Sequence, residues 1–270
     1  MNMITVLGST GFVGSHLVQK LSERDIPYQA PHHEENLDGR DLDTIIYCIG
    51  LTADFRARPL DTVEAHVCKL LEVIRLCHYK KIVYLSSTRL YKLSMPSAED
   101  STFLVSPDSP SDLYNISKLM GEALIHTLDN SGQVVRLSNV YGWDAGSDNF
   151  LSHIIRDALR VGSVTLETTM DSEKDYINVN NVVDLLIEIA TQGSQKVYNI
   201  ASGMNISNRE ILEKLSQLTG CDVHVRDDAK TVKYSQIPIS FVQSEFDFSP
   251  SNLLKDLPGL VDLYKRNNKE

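Results

Sequence analysis

Apolar positions along this chain fall into short continuous runs separated by stripes at helical spacing. Met3–Leu7 is an apolar run that leads into a glycine-punctuated turn, Gly8–Gly14, after which Phe12, Val13, Leu17, Val18 and Leu21 recur at the period of a helix. Strand, glycine turn and helix are predicted in that order. Ile26–Gln29 reads as a second strand and Thr44–Ile49 as a third, with only a turn over Asp38–Asp43 between them. Pro59–His78 carries an apolar stripe of Val63, Val67, Leu70, Leu71, Ile74 and Leu76, behind a Pro59 and an Asp61 that suit a helix start. Ile82–Ser87 is strand-like and ends in hydroxyl residues; a Ser-, Pro- and Asp-rich loop over Leu93–Asp112 then delivers the chain to a helix that holds Tyr114 and Lys118. Gln133–Leu137 is the next strand. This alternation predicts an α/β fold with a doubly wound parallel sheet, whose ligands gather at the carboxyl ends of its strands. The glycine turn, Gly50, Ser87 and Asn139 all fall at such ends.

The C-terminal third reads differently. Asn180 is placed to cap a helix over Val182–Ala190, Val197–Ile200 has the pattern of a strand returning to the main sheet, and Asn208–Leu218 is an amphipathic helix. The closing KRNNKE is a polar tail expected to fray. We therefore expect residues 1–148, joined by 176–200, to form a dinucleotide-binding domain, and 149–270 to be mainly a smaller substrate-binding region.

Composition narrows the function classes. A chain of 270 residues, 42% hydrophobic and 23% charged, is long enough to bury a proper core and unlike a disordered protein. No apolar run approaches the ~18 residues of a spanning helix, and the N-terminus enters a strand pattern directly, which points to a cytoplasmic protein without a membrane association. The formal charge of −10 argues against a nucleic-acid surface. The four cysteines, Cys48, Cys68, Cys77 and Cys221, lie in apolar segments without CxxC spacing and read as buried thiols, and adjacent His32 and His33 read as loop residues, so no metal site is expected.

Two stretches carry candidate chemistry. In GSTGFVG the first glycine permits a tight turn, the second lets a pyrophosphate approach backbone N–H groups at a helix N-terminus, and the third lets helix and strand approach closely. In YNISK, four residues of helix rise ~6 Å and bring Tyr114 and Lys118 onto one face. A free tyrosine titrates near pKa ~10, and a cation ~4 Å away at an effective dielectric of ~20 contributes ~4 kcal/mol in favour of the phenolate. That brings the hydroxyl into the range of general acid–base catalysis.

Taken in order, GSTGFVG, SSTRLY, PSDLYNISKLMGE, RLSNVYG, KDYINVNNVVD and VYNIASG resemble the extended short-chain dehydrogenase/reductase family, the NAD-dependent epimerases and dehydratases of nucleotide sugars. The resemblance runs from Met3 to about Gly220 and implies a Rossmann-type sheet. It implies Tyr114 as the acid/base at the sugar oxygen, Lys118 as the residue that holds the nicotinamide ribose and lowers the tyrosine pKa, and Ser87, with Ser86 in reserve, as the donor to the reacting oxygen. Gly8, Thr10, Gly11, Phe12, Val13 and Gly14 would line the pyrophosphate turn, with Cys48, Ile49 and Gly50 along the cofactor. Asn139 resembles the asparagine that binds the diphosphate, and Lys174 stands where members usually carry a phosphate-binding arginine. A homodimer through the helices of Pro59–His78 and Ser111–Leu128 is implied as well.

Departures from the family pattern shape the expected activity. Thr88 and Arg89 follow Ser87 where dehydratases place Asp and Glu, which argues against dehydration. Asn180 and Asn181 replace paired aspartates, and Trp143 replaces a proline and either walls the sugar pocket or packs in the core. The second strand is followed by Ala30, Pro31, His32 and His33, where an acidic residue would favour NAD and a basic one NADP, so the cofactor stays NAD or NADP with a lean to NAD. The stretch between Gln29 and Thr44 is too short for the helix, strand and adenine-contacting aspartate of relatives, which is expected to weaken or reshape the adenine site. The expected function is thus an NAD(P)-dependent epimerase or ketoreductase of a nucleotide-activated sugar. The alternative is a dinucleotide-binding scaffold or sensor whose chemistry is idle.

Overall fold

The computed structural model describes residues 3–52, 54–93, 96–144 and 149–267. Strand β1 (Ile4–Leu7) is buried along its whole length and passes through the glycine turn into helix α1 (Phe12–Glu23). Strand β2 is only Tyr28–Gln29, shorter than the predicted Ile26–Gln29, because the Ile26 N–H closes the end of α1 on the Leu21 carbonyl (3.0 Å) and Pro27 has no N–H to offer. Strand β3 (Thr44–Tyr47) follows after turns that contain neither helix nor named strand.

The predicted Pro59–His78 helix is interrupted. Helix α2 (Pro59–Val63) runs into a π-helical turn, Glu64–Cys68, and out into α3 (Lys69–Leu76). The extra residue of the wide turn rotates the face that reaches the core: Thr62, His66, Leu70, Val73 and Cys77 are buried, while Leu76 is exposed. Strand β4 (Lys81–Ser87), helix α4 (Asp112–His126) and strand β5 (Gly132–Leu137) complete this part. Beyond it lie β6 (Asn139–Tyr141), α5 (Phe150–Arg160), β7 (Ser163–Thr168), β8 (Glu173–Asn178), α6 (Val179–Gln192) and β9 (Val197–Ile200). The chain ends with β10 (Asn205–Ser207), α7 (Asn208–Thr219), β11 (Asp222–Lys230), α8 (Ser240–Phe246) and α9 (Leu253–Asn267).

Six parallel strands form the main sheet in the order β2-β1-β3-β4-β5-β9, so the order reverses around β1 and β3 as a doubly wound sheet requires. Val197–Ile200 does return to this sheet, against Val134–Leu137. Strands β10, β8 and β6 make a three-stranded sheet, and β11 pairs with β7. One apolar core joins β1, β4, β5 and β9 to α1 and α6, and a second gathers α5, α7 and α9 with the small strands.

Two expectations are corrected at helix ends. Asn178, not Asn180, caps α6: β8 runs straight into the helix, so Asn180 already lies inside it and its N–H donates to the Asn178 side chain (2.9 Å), while Asn181 accepts from the Ser251 N–H. Lys265–Asn267 of the predicted tail are helical, and residues 268–270 lie outside the described ones. Trp143 meets Tyr264 edge-on, at 4.8 Å between ring centroids, and packs on the C-terminal core. Among the described residues no helix is long and apolar enough to cross a membrane, and no group of His, Cys, Asp or Glu is arranged to hold a metal.

Candidate active site

The site is built at the carboxyl ends of β1, β3 and β4. Gly8 adopts φ +86°, and a Cβ there would lie 2.8 Å from the Ile49 nitrogen, so the crossing of the two strand ends requires glycine twice over. A Cβ on Gly14 would lie 2.1 Å from the Gly8 carbonyl oxygen, which explains the tight join of helix to strand. Gly11 differs. It sits at the N-terminus of α1 with extended backbone, no side chain caps the helix, and a Cβ would meet only the Gly8 oxygen at 3.5 Å. Beyond Gly11 there is thus open space in front of uncapped N–H groups, a cradle that fits the pyrophosphate of a dinucleotide. Thr10, Phe12 and Val13 flank it, with Phe12 and Val13 partly buried against the main core.

Cys48–Gly50 cross this turn. Burial pushes the Cys48 thiol up to about 12, so it remains a protonated packing group. At Gly50 a Cβ would approach His66 Nε2 at 3.3 Å and Lys118 Nζ at 3.4 Å, so glycine lets the backbone reach both side chains.

Tyr114 lies in the first turn of α4 and is buried. The side chains of Ser87 and Thr52 act on its hydroxyl, and its ring packs at 5.1 Å on Phe55 and edge-on at 5.2 Å to His66. Burial raises its pKa, while Ser87, Thr52 and the charge of Arg89 pull it back. Arg89, whose guanidinium lies 5.7 Å from the Tyr114 ring centre, is a second cation here beside the expected Lys118. The Lys118 ammonium donates to the Leu85 carbonyl (2.8 Å) and lies 4.9 Å from the Tyr84 ring centre. Burial brings its pKa down to about 7, against the opposing pull of Glu122 and Cys48.

Ser86 and Ser87 point to opposite faces of β4, and their partners separate them. Ser86 donates to Glu122 (2.5 Å), whose carboxylate holds Arg136 in a buried ion pair (2.7 Å). Ser87 is the serine at Tyr114. Asn139 Nδ2 donates to the Asp175 carbonyl (2.7 Å), which fixes it on β8 one residue from Lys174. Lys174 lies over the Phe150 ring, its pKa lowered by burial and then by the nearby Arg89. The structure thus brings Ser87, Tyr114 and Arg89 together, with Arg89 linking them electrostatically to Lys174.

His66, Thr52 and Arg89 escaped identification as site residues. His66 is fully buried, and its Nε2 accepts from the Leu51 N–H (3.3 Å). The ring proton is then on Nδ1 and donates to Ser117 Oγ (2.8 Å), which donates to the Tyr114 carbonyl. Burial, followed by the Lys118 charge, holds the ring neutral. The buried spacing Thr62, His66, Leu70, Val73, Cys77 was the signal available in the sequence. Thr52 comes from an irregular loop and left none.

Comparison with known proteins bears on the family and the fold. Residues 31–201 match the model of the NAD dependent epimerase/dehydratase family. UDP-glucose 4-epimerase of Streptococcus mutans is 25% identical over 276 aligned positions, covering 80% of this chain and 81% of its own. The dTDP-4-dehydro-6-deoxyglucose reductase of Escherichia coli is 23% identical, covering 79% and 81%. In fold, the chain resembles MoeE5 in complex with UDP-glucose and NAD, with a TM-score of 0.82 at 21% identity over 98% of this chain and 99% of that one. The chain belongs to the NAD dependent epimerase/dehydratase family.

Proposed function

We propose that this protein moves hydride between NAD or NADP and a nucleotide-activated sugar, as an epimerase through a transient ketone or as a net ketoreductase. The carrying observation is the convergence of the Tyr114 hydroxyl with Ser87 and Thr52, beside a glycine turn with room for a pyrophosphate. The cofactor would lie along Gly8–Gly14 and Cys48–Gly50 and supply the hydride chemistry. Tyr114 gives and takes the proton at the sugar oxygen, and Ser87 holds that oxygen in line. Lys118 lies beside Gly50, where its ammonium can turn from the Leu85 carbonyl to a ribose hydroxyl. Residues 149–175 and 201–267, with Asn139 and Lys174 toward the main sheet, form the side that takes the sugar nucleotide.

Epimerase or ketoreductase chemistry is favoured over dehydration because Thr88 and Arg89 carry no carboxyl group, so neither supplies the acid and base that elimination needs. A homodimer through α2, α3 and α4 belongs to the same reading, with Leu60, Leu76 and Met120 exposed on these helices. The second reading, an idle dinucleotide-binding scaffold, draws on the trimmed segment between β2 and β3 and on the engagement of Lys118 with Leu85.

Calorimetric titration of cofactor-stripped protein with NAD, NADH, NADP and NADPH, then with UDP-, dTDP-, GDP- and CDP-sugars, tests both. Tight binding of one cofactor, strengthened by a sugar nucleotide that is turned over, is expected. Binding without turnover of any sugar would favour the scaffold, and no cofactor binding would sink both.

A further inference from the structure

Three consecutive residues of β4 meet the helix that carries Tyr114 and Lys118. The Leu85 carbonyl accepts from the Lys118 ammonium, and Ser87 acts on the Tyr114 hydroxyl. Ser86 lies between them in the strand. Its side chain points toward α4, where the hydroxyl donates to Glu122 Oε1 (2.5 Å). Tyr114, Lys118 and Glu122 follow one another at four-residue steps along α4, so one face of one helix carries both reacting groups and the acceptor of Ser86.

Arg136 completes this contact from the neighbouring strand. It stands beside Ser86 in the β4–β5 register and grips the same carboxylate twice, from Nε to Oε1 (3.0 Å) and from one Nη to Oε2 (2.7 Å). Its other Nη donates to the Tyr91 hydroxyl (2.7 Å), which donates to Asn199 on β9 (2.8 Å). Both partners of the ion pair are buried, with side chains 3% and 4% exposed. Gly121 makes the short reach of a serine sufficient: a Cβ there would lie 2.3 Å from the Tyr84 hydroxyl, so glycine lets α4 lie directly on β4.

A buried ion pair adds little stability over apolar side chains of the same volume, because desolvation opposes most of its attraction. What it fixes is geometry. The bidentate grip holds the carboxylate in one orientation, and through Ser86 that orientation sets where residues 85–87 stop against α4.

We propose that Ser86, Glu122 and Arg136 are positioning residues that lock β4 against α4, so that the Leu85 carbonyl meets Lys118 and the Ser87 hydroxyl meets Tyr114. The inference rests on the reading of Tyr114, Ser87 and Lys118 as the reacting groups and adds what holds them in register.

The test uses cofactor-free protein labelled with carbon-13 at tyrosine Cζ, a nucleus that senses the hydrogen bonds of its hydroxyl. Tyr114→Phe identifies the Tyr114 resonance among those of the 11 tyrosines. Ser87→Ala should displace that resonance, and Ser86→Ala, which leaves the ion pair intact, should displace it in the same direction. Glu122→Met combined with Arg136→Met replaces the pair by apolar side chains; this protein should keep its melting temperature and still show the displaced resonance. Should it unfold, the Ser86→Ala spectrum decides alone. A Tyr114 resonance that Ser86→Ala leaves in place, or a folded double variant with the native resonance, would overturn the clamp.

Turnover supplies the second arm, measured with UDP-, dTDP-, GDP- and CDP-sugars. Ser86→Ala should lower kcat about tenfold with KM within about twofold, and adding it to Ser87→Ala should lower kcat no further. Losses that multiply would mean that Ser86 does not act through Ser87, which also overturns the proposal. Native protein that turns over none of these sugars would remove the nucleotide-sugar reading, while the Tyr114 resonance would still decide the clamp.

Discussion

The glycine turn and the Tyr114 cluster lie at the same end of one sheet and are built on opposite principles. The turn works by what is missing: Gly8 and Gly14 have no room for a Cβ, and Gly11 leaves room for a ligand. The cluster works by side chains drawn from separate segments, Thr52 from a loop, Ser87 and Arg89 from the end of β4 and beyond, and Tyr114 from α4. Backbone sites are thus written in local spacing. Side-chain sites are written in topology.

The largest expected effect falls on the cluster. Tyr114→Phe removes one hydroxyl and should lower kcat by about a thousandfold, the range of general acid–base contributions, with cofactor affinity kept. Single-turnover kinetics beside a cofactor titration measure the split, and unchanged turnover would refute the acid/base role.

Within the turn, two glycines should fail in different ways. Gly11→Val fills the cradle and should weaken cofactor binding by about a hundredfold while the melting temperature holds, because its backbone is extended and its Cβ unobstructed. Gly14→Ala places a Cβ 2.1 Å from the Gly8 oxygen and should cost about 1–3 kcal/mol of stability in denaturant titration. If both variants lost affinity and stability in equal proportion, the division between ligand and packing glycines would collapse.

The smallest effect concerns Lys118. Its pKa is about 7 in the folded chain and near its ordinary 10.5 in the unfolded one, so between these values the unfolded state holds more protons. The stability associated with this group is present above the unfolded pKa and is lost as pH falls through the folded one. Raising pH from ~7 to ~9 should therefore add about 2 kcal/mol, and Lys118→Met should flatten that slope. A native slope that survives in the variant would mean that other groups set it.

The same contrast governs what could be read in the sequence. The order of strands, the glycine turn and the helix that holds Tyr114 and Lys118 were legible, because each follows from local period or spacing. The engagement of Lys118 with Leu85 was not, since i,i+4 spacing puts two side chains on one face without fixing where either head group goes. His66 was hidden in the helix from Pro59, because the apolar stripe of Val63, Val67 and Leu71 set the inward face one residue away from Thr62, His66 and Leu70. Asn178 was passed over as the cap of α6 because the strand-to-helix join has no loop.

The trimmed segment between Gln29 and Thr44 has a consequence away from the ligand. It leaves β2, at the margin of the main sheet, with two residues. Unpaired margins of parallel sheets are templates for stray strands, and a two-residue ladder gives an incoming chain too few hydrogen bonds to hold. The opposite extreme is β11, nine residues long at the side of the small β7 sheet, where His224, Arg226, Asp227 and Asp228 stand exposed. One of these two edges is protected by brevity and the other by charge.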